Sequence, residues 1–285
     1  MDATRRLSPE LAKRALAYTT GRVSPAAPMD AATVVLVRDG DRRVEAYLLR
    51  RHRQMAFAAG MYVFPGGVVD RRDSDPGLAW AGPTAAQWAE RLRCDTPTAR
   101  ALVCAAVRET FEESGVLLAG PTSDSVVADT TGEDWEADRQ RLVDRTLAFS
   151  DLLGARALVL RTDLMAACGH WITPEFEPRR YDTRFFVAEL PTGQRTRDVS
   201  GESDRVAWMT PRAACEGVDA GKMAMLPPTY ATLSQLSAFD RAAAIVAAAR
   251  DHKITTIMPT VEVIDGESWL AVPEWAGSPW EVRDA

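Results

Sequence analysis

The chain has 285 residues, of which 46% are hydrophobic and 26% charged, and its formal net charge is −6 at pH 7. This balance is typical of a globular protein, and the acidic surplus argues against a nucleic-acid-binding surface. The sequence has no run of eighteen apolar residues, so no membrane span is expected.

The cysteines and the N-terminus bear on the cellular compartment. The four cysteines are scattered without Cys-x-x-Cys spacing, and Met1 to Arg6 lack the apolar core of a secretory signal. We therefore expect a cytoplasmic protein with reduced thiols, and no disulfide or zinc framework.

The first part of the chain predicts one helix followed by three strands. Ser8 followed by Pro9 predicts a helix over 9–18, because serine is a good cap and proline suits the first helical position. Apolar runs separated by turn residues predict strands at 32–37, 44–49 and 61–64, the first two as a hairpin.

The middle of the chain predicts a long helix that ends at a glycine. Either Thr96 or Thr98 is expected to cap it, and Gly115 is expected to end it. A short helix over 84–92 precedes it. Further elements are predicted as a helical stretch ending at 153, strands at 157–160, 170–174, 183–188 and 206–209, a second major helix over 227–250, and strands at 254–257, 261–264 and 269–272.

The end of the long helix carries an unusual concentration of acids. Glu109, Glu112 and Glu113 lie three and four positions apart, so their side chains share one helical stripe. Three such acids repel one another unless a cation lies between them, and hard divalent ions prefer oxygen ligands completed by substrate phosphates. The pattern predicts a Mg²⁺ or Mn²⁺ site for phosphate chemistry, the alternative being a solvated acidic helix face.

Two motifs together resemble a known signature. Phe64-Pro65-Gly66-Gly67 and the helical string from Arg108 to Val116 are similar to the Nudix box, Gly-x5-Glu-x7-Arg-Glu-U-x-Glu-Glu-x-Gly-U, where U is a bulky aliphatic residue. The resemblance implies an α/β fold, a Nudix α/β/α sandwich with a mixed sheet. We expect a single domain over 1–285, with an N-terminal helix and connector (1–28), an insertion in the box (70–95) and a C-terminal helix and extension (228–285).

The sequence departs from the box in two places. The spacing from Gly67 to Arg108 exceeds the family pattern by 27 residues. The first glutamate of the box therefore falls on Asp73 when counted from Gly67, or on Arg100 when counted from Arg108. Thr110 also replaces the first aliphatic residue.

The resemblance also implies roles for individual residues. Glu109, Glu112 and Glu113, with the carbonyl of Gly66, would bind the metal, and Arg108 would hold Glu112 in position. A further acid from a later loop would serve as ligand or general base. The candidates for it are Glu202 first, Asp204 as the near alternative, and Glu175 with Glu177 as a third pair.

The segment before the box suggests the substrate. The Leu48-Leu49 pair, the following arginines and Gly-x3-Phe-Pro-Gly-Gly are similar to coenzyme A-cleaving Nudix hydrolases, although Phe57 stands near where that signature has a second arginine. This implies a small nucleotide-type substrate, with cleavage of coenzyme A or acyl-CoA to 3′,5′-ADP and (acyl-)4′-phosphopantetheine. The substrate-binding candidates are Arg50, Arg51, Arg53, Gly66 and Gly67, since arginine suits phosphate.

Two other functions stay open at this point. The same chemistry could act on ADP-ribose or NADH, and a non-catalytic Nudix fold could bind a nucleotide as a regulator. The tail tryptophans Trp269, Trp275 and Trp280 are candidates for core packing, for a homodimer contact or for stacking on a ligand.

Overall fold

The computed structural model describes residues 4–55, 58–199, 201, 203–265, 267–278 and 280. Within these residues the α-helices are α1 (Pro9–Thr19), α2 (Ala85–Leu92), α3 (Thr96–Ser114), α4 (Glu133–Val143), α5 (Phe149–Ala155), α6 (Pro211–Asp219), α7 (Pro227–Leu236) and α8 (Ala242–Asp251). Short 3-10 helices cover Arg71–Ser74, Thr162–Leu164 and Glu274–Gly277.

The strands of the described residues range from two to eleven residues in length. They are β1 (Thr4–Arg6), β2 (Met29–Asp39), β3 (Val44–Arg51), β4 (Tyr62–Val63), β5 (Gly66–Val68), β6 (Trp80–Ala81), β7 (Ala119–Gly120), β8 (Val159–Arg161), β9 (Met165–Ile172), β10 (Tyr181–Glu189), β11 (Ser203–Met209), β12 (Thr256–Ile257), β13 (Thr260–Ile264) and β14 (Glu267–Ala271).

An eight-stranded mixed sheet organises the molecule. Its main path runs β11-β3-β2-β10-β9-β12, with β4 beside β3 and β5 beside β2. Strands β2 and β10 are parallel over nine residues, from the Met29–Tyr181 pair to the Val37–Glu189 pair. Strands β12 and β9 are also parallel, and the other pairs are antiparallel. The predicted hairpin of the first two long strands is confirmed as β2 and β3.

Helices cover both faces of this sheet. Successive side chains of a strand point to opposite faces, and Phe186 and Val187 of β10 accordingly belong to two separate apolar clusters. The cluster with Phe186 includes Phe111 of α3, and the cluster with Val187 includes Leu233 of α7 and Ile245 of α8. The predicted α/β/α sandwich is confirmed.

The insertion in the box is part of the core. Trp88 and Leu92 of α2 are buried, and the ring of Trp88 meets that of Phe186 edge to face at 5.7 Å between centroids. Strand β6 pairs in parallel with β8. The additional residues therefore extend one face of the sandwich.

Helix α3 begins earlier than either predicted threonine cap implies, and it ends where predicted. Its cap is Asp95, whose Oδ1 accepts a hydrogen bond from the Thr98 backbone N at 2.7 Å, so the expected threonine caps are wrong. Gly115 ends the helix in the left-handed region at φ +74°, a conformation that favours glycine.

The predicted helix over 227–250 is wrong, because two helices occupy this segment. Helix α7 ends at Leu236 and α8 starts at Ala242, whose backbone N donates to Asp39 Oδ1 at 2.8 Å. The helical stretch predicted before 153 is likewise split into α4 and α5. Among the helices of the described residues, none is both long and apolar enough to cross a bilayer.

Candidate active site

The two halves of the signature meet although a long insertion separates them. Strand β5 pairs with β2 and sets Gly66 and Gly67 against the sheet, beside the C-terminal part of α3. The backbone N of Gly66 donates to Glu113 Oε2 at 3.0 Å. The sheet therefore fixes the position of one of the three glutamates through a main-chain donor.

Both glycines are required by close packing. A Cβ added to Gly67 would overlap the Glu109 carboxylate, and one added to Gly66 would lie 2.5 Å from the Ala32 carbonyl oxygen. The backbone approaches the acids so closely because neither residue carries a side chain.

Arg108 lies at the centre of the acid cluster. Its Nη1 donates to Glu109 Oε1 at 2.7 Å and to Glu112 Oε1 at 3.1 Å. Its Nη2 donates to the Val68 carbonyl oxygen at 3.0 Å. Burial by itself would lower the pKa of Arg108, but the surrounding carboxylates raise it above its usual value, so this side chain is a permanent cation.

Asp73 completes the set of Arg108 partners. Its Oδ1 accepts from Arg108 Nε at 3.0 Å and its Oδ2 from Nη2 at 3.0 Å. Asp73 is 2% exposed, and its Oδ2 also accepts from the Asp70 backbone N at 2.8 Å. Arg100, the other position to which the box could be aligned, contacts the Asp75 carbonyl and the Trp80 ring instead.

The acids of this cluster carry a surplus of negative charge. Burial raises the pKa of Glu109 to about 7, against the opposing effect of Arg108, and burial also raises the pKa of Glu112. A third acid, Asp73, shares the same guanidinium. Additional positive charge would therefore stabilise the ionised cluster.

The residues present fit a hard divalent ion in their chemistry. Glu109, Glu112 and Glu113 supply carboxylate oxygens, which Mg²⁺ and Mn²⁺ prefer. In the described part of the chain, no three Asp, Glu, His or Cys side chains are already grouped as a metal-ligand set. The guanidinium of Arg108 lies between two of the glutamates, so the ligand roles of the three glutamates and of the Gly66 carbonyl stay predictions.

The cluster opens into a cavity of about 1100 Å³. Its lining includes sheet residues such as Thr33 and Tyr181 and apolar residues of α4, among them Leu142 and Val143. Val143 is 45% exposed. The lining thus combines charged and apolar residues, a combination suited to a phosphorylated organic molecule.

Arg139 is a residue of this site that the sequence did not reveal. It is 3% exposed, it donates from Nη1 to the Glu112 carbonyl oxygen at 2.7 Å, and it pairs with Glu136. The contact satisfies a carbonyl at the end of α3, where the helix itself supplies no donor. Its sequence context on α4 gives no local signal of this role.

The three predicted substrate-binding arginines lie in different surroundings. Arg51 lines the cavity. Arg50 donates from Nε to Asp204 Oδ1 at 2.6 Å, and Arg53 is exposed beside Gly60. The structure therefore brings one of the three to the described cavity.

The candidates for the additional acid are only partly within the structure. Glu202, the first candidate, lies outside the described residues. Phe57, which stands near the position of the missing arginine in the segment before the box, also lies outside them. Glu175 accepts a hydrogen bond from Tyr18, and Glu177 lies 3.8 Å from Arg14, so this pair contacts α1. Of the tail tryptophans, Trp280 is buried against His252, and Trp275 is 49% exposed.

Strand β5, with Gly66 and Gly67, lies against helix α3, which carries the three glutamates. This arrangement and the fold define the class of protein, a Nudix α/β/α sandwich. A family model described as the NUDT19 Nudix domain matches residues 81–236, more than half of the chain. The chain belongs to this family of Nudix hydrolases.

Individual relatives agree with this assignment. A Caenorhabditis elegans protein named putative nudix hydrolase 7 is 29% identical over 207 residues, 73% of this chain and 60% of that protein. The Xenopus laevis acyl-coenzyme A diphosphatase NUDT19 is 25% identical over 231 residues, 68% of this chain and 60% of that protein. The chain thus spans about 60% of the length of these curated relatives.

A solved structure supports the fold assignment. The crystal structure of a NUDIX hydrolase from Alicyclobacillus acidocaldarius superposes with a TM-score of 0.63 at 28% sequence identity. The match covers 78% of this chain and 96% of that one.

Proposed function

We propose that this protein hydrolyses the diphosphate linkage of a nucleoside diphosphate joined to another group, with Mg²⁺ or Mn²⁺ as cofactor. The proposed substrate is coenzyme A or acyl-CoA, which would give 3′,5′-ADP and (acyl-)4′-phosphopantetheine. The observation that carries the proposal is the acid cluster around Arg108, which lies directly beside Gly66 and Gly67 and opens into a large cavity.

The proposed chemistry assigns a limited task to each residue. A bound divalent ion would neutralise charge on the diphosphate and acidify the attacking water. Glu109, Glu112 and Glu113 would hold that ion. Arg108 orients two of these carboxylates, and the Gly66 backbone N orients the third. Such positioning in advance lowers the reorganisation needed during the reaction.

Two observations support coenzyme A as the substrate class. Relatives from two vertebrates carry the name acyl-coenzyme A diphosphatase NUDT19, and the family model bears the same designation. The cavity lining also contains both basic and apolar residues, as a substrate with phosphates and a long organic arm requires.

The proposal can be tested with a panel of diphosphates. Purified protein is incubated with Mg²⁺ or Mn²⁺ and with CoA, an acyl-CoA, ADP-ribose or NADH, and the products are separated by chromatography. We expect 3′,5′-ADP from CoA. AMP from ADP-ribose or NADH without CoA cleavage would assign a different substrate, and binding without hydrolysis of any compound would indicate a nucleotide-binding regulator.

A further inference from the structure

We propose that Arg71 and Arg145 form an anion subsite on the cavity wall, which binds a phosphate monoester that the substrate carries in addition to its diphosphate. This subsite deepens the proposed function and rests on it for the identity of the substrate. Coenzyme A carries such a group as its 3′-phosphate, whereas ADP-ribose and NADH do not. The subsite would therefore select between the substrate classes.

The arginines of the cavity differ in whether their charge is already compensated. Arg108 is surrounded by acids, Arg139 pairs with Glu136, and Arg72 pairs with Asp70. These side chains are held as structural cations. They have little capacity left for a ligand.

The guanidinium groups of Arg71 and Arg145 are not paired with acids in this way. Both line the cavity and both are exposed. Within the described residues, neither guanidinium has a hydrogen bond or an ion pair with a protein group. Arg179, two residues before β10, is also exposed and also lines the cavity. A cavity-lining guanidinium without a protein partner is well suited to a phosphate, which it can bind through two parallel hydrogen bonds.

The two arginines belong to segments that are tied together. Arg72, next to Arg71, donates hydrogen bonds from Nε and Nη2 to the Asp70 carboxylate. The third nitrogen of Arg72, Nη1, donates to the Arg145 carbonyl oxygen at 3.2 Å. The 3-10 helix of the insertion is thereby joined to the turn after α4, so Arg71 and Arg145 belong to two segments in direct contact, and both line the cavity.

Arg145 also lies near the acid cluster. It lines the same cavity as Glu109, Glu112 and Glu113. A phosphate held by Arg145 would therefore be a near neighbour of the diphosphate at the acids. This fits a ligand with both groups on one nucleotide.

The chain also offers a matched control for Arg145. This residue follows the end of α4 with φ +57°, in the left-handed region where glycine is usual. Arg93, after α2, has a similar conformation (φ +55°) but does not line the cavity. Arg93 is therefore a matched control for the backbone conformation and for the charge.

The test measures binding of two nucleotides that differ by one phosphate. Calorimetry with Mg²⁺ present gives the dissociation constants of 3′,5′-ADP and 5′-AMP, neither of which contains a diphosphate linkage. For the wild type we expect 3′,5′-ADP to bind at least about tenfold more tightly, the scale of one charge-assisted contact. Arg71→Gln and Arg145→Gln should each reduce this ratio at least about threefold, and Arg93→Gln should leave it unchanged.

Failure of the subsite and failure of the proposed substrate can be distinguished. Equal affinities of the wild type for the two nucleotides, no measurable binding of 3′,5′-ADP, or an unchanged ratio in either variant would overturn the subsite. The wild type is also assayed with CoA and with 3′-dephospho-CoA. Hydrolysis of neither compound would refute the proposed substrate, and the nucleotide binding ratio would still decide the subsite.

Discussion

Asp73 and Arg108 form a buried ion pair in which two carboxylate oxygens accept from two guanidinium nitrogens, each at 3.0 Å. Asp73 lies in the first residues of the insertion and Arg108 lies on α3. The pair therefore joins the inserted segment to the helix that carries the three glutamates. Since Arg108 also contacts Glu109 and Glu112, the pair controls the geometry of the candidate site.

Replacing Asp73 by asparagine should lower stability. The change removes the ionised acceptor of two buried hydrogen bonds of Arg108, which keeps Glu109 and Glu112 as partners, and such a loss costs about 2 kcal/mol of unfolding free energy. Urea denaturation of Asp73→Asn measures this loss, with the exposed Asp41→Asn as control. A destabilisation no larger than that of the control would contradict the role assigned to Asp73.

Replacing Gly67 by alanine should impair turnover. The added methyl group would overlap the Glu109 carboxylate and displace it. Displacement of a positioned group by about 1 Å can reduce rate about a hundredfold. The control is Gly154→Ala on α5, where an added Cβ meets nothing within 4 Å. Similar kcat values for the two variants would show that the close approach at Gly67 is dispensable.

Replacing Glu112 or Glu113 by glutamine should lower kcat by at least about a hundredfold, the scale expected when one major electrostatic stabiliser is lost. Steady-state kinetics on the best substrate of the panel gives the values. The exposed Glu90→Gln on α2 serves as a control of the same chemical change. Full activity in both site variants would remove the proposed metal site.

The raised pKa of Glu109 predicts a specific pH dependence. The folded protein without metal holds a proton on Glu109 up to about pH 7, whereas the unfolded chain loses it near 4.5. Between these values the folded state binds more protons, so this group makes the unfolding free energy fall as pH rises. Mg²⁺ affinity should rise over the same window, because the ion competes with the proton.

The measurement for this prediction is denaturation of the metal-free protein between pH 4.5 and 7. The wild type should lose stability with rising pH more steeply than Glu109→Gln, which cannot ionise. Identical slopes for the two proteins would show that Glu109 ionises normally in the folded state.

The sequence predicted those features that depend on local patterns. The end of α3 at Gly115 and the β2–β3 hairpin follow from a left-handed glycine and from two apolar runs joined by a turn. The break between α7 and α8 could not be predicted in this way. The first backbone N–H of α8, at Ala242, is satisfied by Asp39, which is distant in sequence and close only in the folded protein.

The candidate site likewise contains residues that local sequence patterns predicted and residues that they did not. The spacing of Glu109, Glu112 and Glu113 marks them as one stripe on any helix. Spacing alone could not decide whether Asp73 or Arg100 occupies the position of the first glutamate of the box, because the insertion makes the two ways of counting disagree. The question is decided by which side chain reaches Arg108 in three dimensions. Arg139 was missed for a related reason, since its partner is a carbonyl on another helix.

The position of Asp73 has a consequence for how this chain can change over evolution. Asp73 emerges from the same strand exit as Gly67, ahead of β6 and α2. No residue between Ser74 and the start of α3 is among the described partners of Arg108, but Trp88 and Leu92 of that stretch are buried in the core. The exposed positions of the stretch can therefore vary without changing the contacts of Arg108, and they are where new recognition surfaces can arise at little risk to the chemistry.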